Sequence, residues 1–279
     1  MSGHAAELAR GVRFGFGANW KRFLATVDEA RIAQAVGSLA EALRRRSLAG
    51  YRFLDAGCGS GLFSLAARRL GASVVSFDYD PASVACAVEL RRRFDGAGGD
   101  WSIHEGSVLD AAFLESLGRF DVVYSWGVLH HTGALWTALE LAAERVKPGG
   151  VLYASIYNDQ GRASRAWLAV KRTYNRLPRG LRFLVLVPSL AVLWGPRFAV
   201  EAFSGHPGRS WRAYAATSRG MSPWRDVVDW VGGLPFEVAT PDEVLAFCRK
   251  RGFALRTLKT QAGGHGCNEF VFDRSDRGA

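Results

Sequence analysis

Residues Phe53-Leu54-Asp55-Ala56-Gly57-Cys58-Gly59-Ser60-Gly61 decide how the chain is read. The apolar run from Tyr51 to Ala56 is strand-like, and Leu62 to Leu70 has a helical pattern. The glycines between them are what a tight strand-to-helix turn requires. Their spacing is G-x-G-x-G, which is neither the G-x-G-x-x-G of dinucleotide binders nor the G-x-x-x-x-G-K of phosphate loops. A second element supports a ligand site. Val74-Val75-Ser76-Phe77-Asp78 ends a second strand about 20 residues on, where a carboxylate accepts hydrogen bonds from both hydroxyls of a ribose. Tyr79 follows, placed to pack against a base. The loop holds no lysine to neutralise a polyphosphate, so the expected ligand is a nucleoside without one.

Outward from this loop, apolar runs at 51–56, 73–77, 120–125 and 150–156 alternate with helix-like segments at Leu62 to Leu70, Pro81 to Phe94 and Leu135 to Val146. Such alternation predicts an α/β fold with a doubly wound, mostly parallel sheet. Asp28 to Arg46 reads as an earlier helix, with Ile32, Val36, Leu39 and Leu43 on one stripe. Pro241 to Arg251 reads as a late helix, opened by Thr240 as N-cap with Glu243 three residues on. Phe253 to Thr260 and Asn268 to Phe272, joined by Gly263-Gly264-His265-Gly266, predict an antiparallel hairpin that closes the sheet.

Taken together these motifs resemble the class I S-adenosylmethionine (SAM)-dependent methyltransferases, strongly over about 51–157 and again over the closing hairpin. The segment Phe120-Asp121-Val122-Val123-Tyr124-Ser125-Trp126-Gly127-Val128-Leu129-His130-His131 is similar to the ubiquinone- and menaquinone-methylating type, and Lys147-Pro148-Gly149-Gly150 precedes the fifth strand. The resemblance implies a Rossmann-like seven-stranded sheet with SAM as cofactor. It implies that Asp55, Gly57, Cys58, Gly59 and Gly61 meet the methionine part, that Asp78 holds the ribose, and that Tyr79 and Trp126 lie beside the nucleoside. Glu105-Gly106-Ser107-Val108 stands where many relatives carry an aspartate for the adenine amino group. Ser107 and the Val108 backbone are carried over in its place.

Four units are expected: an N-terminal helical lid at 1–46, the SAM-binding core at 47–157, a basic and partly apolar helical cap at 158–235, and a C-terminal helix and hairpin at 236–279. The methyl group of SAM already sits on a good leaving group, so the protein has chiefly to align a nucleophile and exclude water. His130 and His131, at the rim beyond strand four, are candidate bases or loop-tying residues. Asn158 and His265 complete the catalytic candidates, and Trp20, Tyr157, Arg172, Trp224, Asp226 and Asn268 are the substrate candidates. Phe16, Asn19, Trp20 and Phe23 are expected to fold over SAM.

With 36 Lys and Arg against 26 Asp and Glu in 279 residues, the chain carries a net charge of +10. Hydrophobic residues at 48% and charged residues at 22% exclude a disordered chain, a collagen and a coiled coil. Cys58, Cys86, Cys248 and Cys267 show no disulfide-scaffold or zinc spacing, and no metal site is expected. Met1 to Arg13 lacks an apolar signal stretch, so the expected location is the cytoplasm. All the excess charge lies between Asn158 and Arg225, where twelve basic residues face only Asp159 and Glu201. This segment suits an anionic partner.

The expected substrate is a small, anionic or lipid- or sugar-linked metabolite methylated on O or N, with RNA methylation as the alternative. The uncharged run Phe183 to Pro196 spans only about 21 Å as a helix, too short to cross a bilayer. It is expected to be a buried helix pair, or else a surface that dips into a membrane or grips an apolar tail. An exposed apolar insertion would equally serve a homodimer interface.

Overall fold

Adjacent residues of a strand face opposite sides, so each buried strand here feeds two cores. In the computed structural model, which describes residues 3–96, 99–217 and 222–276, Phe53 points to one layer and Leu54 to the other. The seven strands are β1 (Arg52–Ala56), β2 (Ser73–Asp78), β3 (Trp101–Glu105), β4 (Phe120–Trp126), β5 (Val146–Tyr157), β6 (Phe253–Lys259) and β7 (Cys267–Arg274). Their order in the sheet is β3-β2-β1-β4-β5-β7-β6. Strands β1 to β5 are parallel, and β7 runs antiparallel between β5 and β6. The doubly wound sheet with a closing antiparallel hairpin is therefore as the sequence predicts. The order reverses between β1 and β4, which opens a crevice at their carboxyl ends.

The helices are α1 (Gly3–Ala9), α2 (Gly17–Leu24), α3 (Glu29–Leu43), α4 (Leu62–Arg69), α5 (Pro81–Phe94), α6 (Ala111–Leu117), α7 (Leu135–Glu144), α8 (Arg162–Arg176), α9 (Phe183–Phe203), α10 (Arg209–Thr217), α11 (Pro223–Gly232) and α12 (Pro241–Arg249). Their starts are fixed by side chains that accept from otherwise orphaned amides: Asp28 at α3, Asp80 at α5 and Asp110 at α6. The predicted Thr240–Glu243 capping box opens α12. On one face of the sheet, Ile32, Leu39 and Leu43 of α3 and Leu65 of α4 pack over Phe53, Val122 and Tyr124. On the other, Leu135 and Leu139 of α7 and Val244 of α12 pack over Leu54, Val123 and Leu152.

A third apolar cluster joins α8, α9 and α11 through Trp167, Tyr174, Leu186, Trp194, Val227 and Val231. Here the structure departs from expectation. The run beginning at Phe183 is one helix of 21 residues, not a pair, and it passes through Pro188 and Pro196 to Phe203. Each proline removes one amide donor but keeps a helical φ, and the cluster around Trp194 holds the helix across the breaks. The length is about 32 Å at 1.5 Å per residue, so by length and composition α9 is apolar enough to cross a bilayer. Only 17% of its apolar window is buried inside the protein. Arg219, Gly220 and Met221 of the predicted basic cap lie outside the described residues, as does the Asn19 side chain.

Phe53 is fully buried and stacks on Tyr124 with ring centroids 5.9 Å apart. Phe53→Ala is expected to lower the unfolding free energy by about 3–5 kcal/mol in a denaturant titration, because the layer cannot collapse around the lost ring.

Candidate functional site

The turn after β1 is held open by backbone geometry that side chains resist. Gly57 and Gly59 adopt φ of 84° and 53°. A Cβ on Gly57 would lie 2.4 Å from Val128, and one on Gly59 would lie 2.9 Å from the Trp20 ring. The amides of Gly57 and Cys58 donate to the Phe77 carbonyl at 2.9 and 3.0 Å, and Gly59 donates to Asp78 Oδ2 at 2.9 Å. The Asp80 amide donates to Asp78 Oδ1 at 2.9 Å. Despite these bonds, desolvation raises the Asp78 carboxyl to about 6. Asp55, also buried, accepts from Ser64 Oγ at 2.6 Å, and burial pushes its carboxyl up to about 7.

The donor set fits the SAM expectation. Two desolvated carboxylates are suited to a cationic or hydroxyl-bearing ligand, and they flank a glycine turn whose missing side chains let Val128 and Trp20 close on the backbone. Cys58 is buried, and its thiol is raised well above its ordinary value by desolvation. Tyr79 packs edge-on to His4 at 5.4 Å and under the Arg13 guanidinium at 4.9 Å. Gly17 of α2 donates to Asp80 Oδ2 at 2.8 Å, so the N-terminal helices close over the same rim. Ser107 Oγ accepts from the Leu109 amide at 3.1 Å, Val108 is buried, and Trp126 packs at the end of β4.

Beside this loop β4 runs into a tight turn that buries His130 and His131. Tautomers follow from partners. His131 Nδ1 lies 2.6 Å from the Pro235 carbonyl, which can only accept, so Nδ1 carries the proton and Nε2 the lone pair. The Tyr157 amide donates to His130 Nδ1 at 3.3 Å, so His130 Nε2 carries the proton and is a donor. That buried Nε2 makes no hydrogen bond among the described residues, and the Ser155 backbone is the one acceptor whose nearness favours the protonated ring. Burial lowers His131 to about 3 and His130 well below its ordinary value. Tyr157 stacks on His130 at 3.8 Å and meets His131 edge-on at 5.3 Å, while Phe16 lies 4.9 Å from His131.

Other predicted residues are used differently. The Asn158 amide donates to the carbonyls of Ala262 and Gly264 at 3.0 and 3.2 Å, and its oxygen accepts from Asn268 at 3.0 Å. Asn268 in turn accepts from Thr260 and the Gln261 amide. The two asparagines, expected in catalysis and substrate binding, spend their hydrogen bonds on pinning the β6–β7 turn. His265 lies on that turn against Trp167 and Trp230 at 5.7 and 5.6 Å. Arg172 is on the outer face of α8, Trp224 is 43% exposed, and Asp226 accepts from Tyr214. Asp226 also lies within electrostatic reach of Tyr157, the ring that packs on His130. Trp20 does reach the site, packed on Gly59.

Lys171 is the residue that sequence reading missed. It is one of the twelve basic residues of the 158–225 segment, yet it falls on the same face as Trp167 and Tyr174, four residues after one and three before the other. Its side chain is 0% exposed.

The methyltransferase-domain family matches residues 23–194. The ubiquinone biosynthesis O-methyltransferase of Rhizobium rhizogenes is 34% identical over 136 residues, covering 48% of this chain and 53% of that protein. The chain thus spans about half the length of that relative. The protein of the same name from Xanthomonas oryzae pv. oryzae is 33% identical over 179 residues, covering 62% of this chain and 73% of its own length. Among solved structures, magnesium protoporphyrin IX methyltransferase from Synechocystis PCC 6803 with bound SAH shares the fold at a TM-score of 0.50 and 14% identity, covering 88% of this chain and 82% of that one.

Asp78→Asn is expected to weaken binding of S-adenosylhomocysteine about tenfold or more in calorimetry, by removing the ionised acceptor expected to meet the ribose hydroxyls. In the unaltered protein that affinity is expected to fall as pH drops through about 6, where Asp78 takes up its proton. Stability of the free protein moves the other way. Asp55 and Asp78 hold protons more tightly folded than unfolded, so their contribution favours folding at low pH and is lost as pH rises through about 6 to about 7.

Proposed function

The chain belongs to the methyltransferase-domain family, uses SAM as methyl donor, and from that premise we propose that it methylates an oxygen of a small, apolar or lipid-linked acceptor bearing an acidic group. The observation that carries this reading is the buried set of His130, His131 and Tyr157 beside the glycine turn, in which aromatic walls surround two neutral imidazoles of opposite tautomer. The relatives named for ubiquinone biosynthesis support an oxygen acceptor on an apolar molecule.

When bound, SAM supplies a methyl group on a sulfonium leaving group. Asp78 would hold the ribose hydroxyls, and Asp55 and the Gly57 to Gly61 backbone would face the methionine part. His131 Nε2 accepts the hydrogen bond of the acceptor hydroxyl, which aligns its lone pair for in-line displacement. With its own proton affinity low, His131 takes that proton only as the new bond forms and the hydroxyl becomes strongly acidic. Phe16 and Trp20 exclude water from the rim.

The exposed side of α9 fits a membrane surface. Phe183, Leu184, Val187, Val192 and Phe203 are exposed, Phe203 at 95%, and Arg172, Arg176, Arg179 and Arg197 of the same segment are exposed as well. Exposed apolar side chains and exposed cations in one segment match an anionic lipid surface, where a lipid-linked acceptor resides.

Methyl-labelled SAM added with purified protein to a cell extract is expected to label the small-molecule or lipid fraction. Label confined to RNA overturns the reading and assigns the basic segment to nucleic acid. Once an acceptor is in hand, His131→Gln is expected to lower kcat about 10²–10⁴-fold with S-adenosylhomocysteine affinity unchanged. Sedimentation with vesicles is expected to show binding to acidic but not neutral lipid, reversed by salt. Absence of binding removes the membrane contact, and concentration-dependent self-association assigns the face to a second copy.

A further inference from the structure

Lys171 is a cation with almost nothing to satisfy it. Its Nζ donates to the Trp230 carbonyl and otherwise faces rings: Phe236 at 4.5 Å, Trp230 at 4.6 Å and Tyr157 at 5.8 Å from their centroids. No carboxylate lies within 4.0 Å of it among the described residues. An ammonium has three donors, and one carbonyl leaves two of them to the π faces. Two further buried donors share the same walls and make no hydrogen bond among the described residues: His130 Nε2 and Trp230 Nε1. Such buried donors cost free energy unless an acceptor reaches them.

All three surround Tyr157, whose ring lies 3.8 Å from His130 and 5.1 Å from Trp230, so the site adjoins the histidine pair. We propose that Lys171, with His130 Nε2 and Trp230 Nε1, forms an oxyanion-binding cradle that takes an ionised oxygen, carboxylate or phenolate, carried on an aromatic ring. The anion supplies the close hydrogen-bonded counter-charge that Asp229, which acts on Lys171 only from beyond 4.0 Å, does not, and Tyr157, Trp230 and Phe236 supply the apolar walls that a ring packs against. This site is proposed to give the acceptor its orientation and to select aromatic acids and phenols over neutral analogues. As an assignment of the methyl acceptor it rests on the transferase reading. As an anion site it stands on the geometry.

The neighbours of Lys171 leave it as the group whose charge changes near neutral pH. Burial lowers it to about 7, opposed by Asp229 on α11 and Cys267 on β7. Tyr157 is held protonated, His130, His131 and His265 are each lowered and stay neutral, and Asp226 is bonded to Tyr214.

The probes are benzoate and 4-nitrophenolate as ionised rings and methyl benzoate as the neutral control, each titrated by quenching of tryptophan fluorescence. Unaltered protein is expected to bind at least one anion saturably, and which one identifies carboxylate or phenolate as the source. Lys171→Met is expected to weaken that anion about tenfold or more while methyl benzoate and S-adenosylhomocysteine bind as before. Equal losses for anion and ester, no loss for either, or no anion binding by unaltered protein overturns the proposal.

Should Lys171→Met fail to fold, the unaltered protein decides. Benzoate affinity is expected to fall as pH rises through about 7, where the amine loses its proton. A flat profile overturns the proposal. None of these readouts needs methyl transfer. Lys171-dependent anion binding without any labelled product sinks the transferase reading alone, and labelled product without anion binding sinks the cradle alone.

Discussion

The hydrogen bonds from the β1 turn to the end of β2 set the position of everything at the carboxyl rim. Gly57 and Cys58 anchor on the Phe77 carbonyl, and Gly59 reaches one residue further to Asp78. This close approach requires left-handed backbone at Gly57 and Gly59, and it requires that nothing larger than hydrogen project toward Val128 and Trp20. Because Val128 leads into the histidine turn, the same constraint fixes how near His130 and His131 stand to the loop. Because Trp20 sits on α2, it also fixes where the N-terminal helices close.

The rim then joins two kinds of buried polar group. Asp55 and Asp78 are acids raised by desolvation, while His130, His131 and Lys171 are bases lowered by it. Each shift moves a group toward its neutral form, which is how a site with little water avoids unpaired charge. The fold therefore holds its machinery with acids on the β1–β2 side and bases on the β4–β5 side. A cationic donor suits the first, and the proposed anionic acceptor would add to the second a closer counter-charge than Asp229 provides.

Much of the scaffold is legible in the sequence because local physics dictates it. The glycine turn needs its glycines, the Thr240 box needs Glu243, and the alternating apolar runs have no other way to bury both faces. Asp78 is legible for the same reason, being at the end of a run whose register is forced. The asparagines 158 and 268 are not, because their partners are backbone carbonyls and amides of a turn whose shape appears only in three dimensions. The α9 helix is misread from its charges alone. Arg197 ends the uncharged run, but the packing of Trp194 on Trp211 and Tyr214 carries the helix past it.

Lys171 shows most clearly why counting charges misleads. A net charge describes what a segment attracts at long range, and by that measure residues 158–225 are one basic patch. Helical periodicity divides it. Arg165, Arg172 and Arg176 lie on the outer face of α8, while Ser164, Trp167, Lys171 and Tyr174 are buried. In water the arginines are screened over about 8 Å at physiological salt and act on a broad surface. The enclosed lysine is not screened, and it acts on one atom at a time. One helix thus presents two electrostatic regimes, diffuse outside and local inside, and the proposed anion site depends on the short range of the inner one.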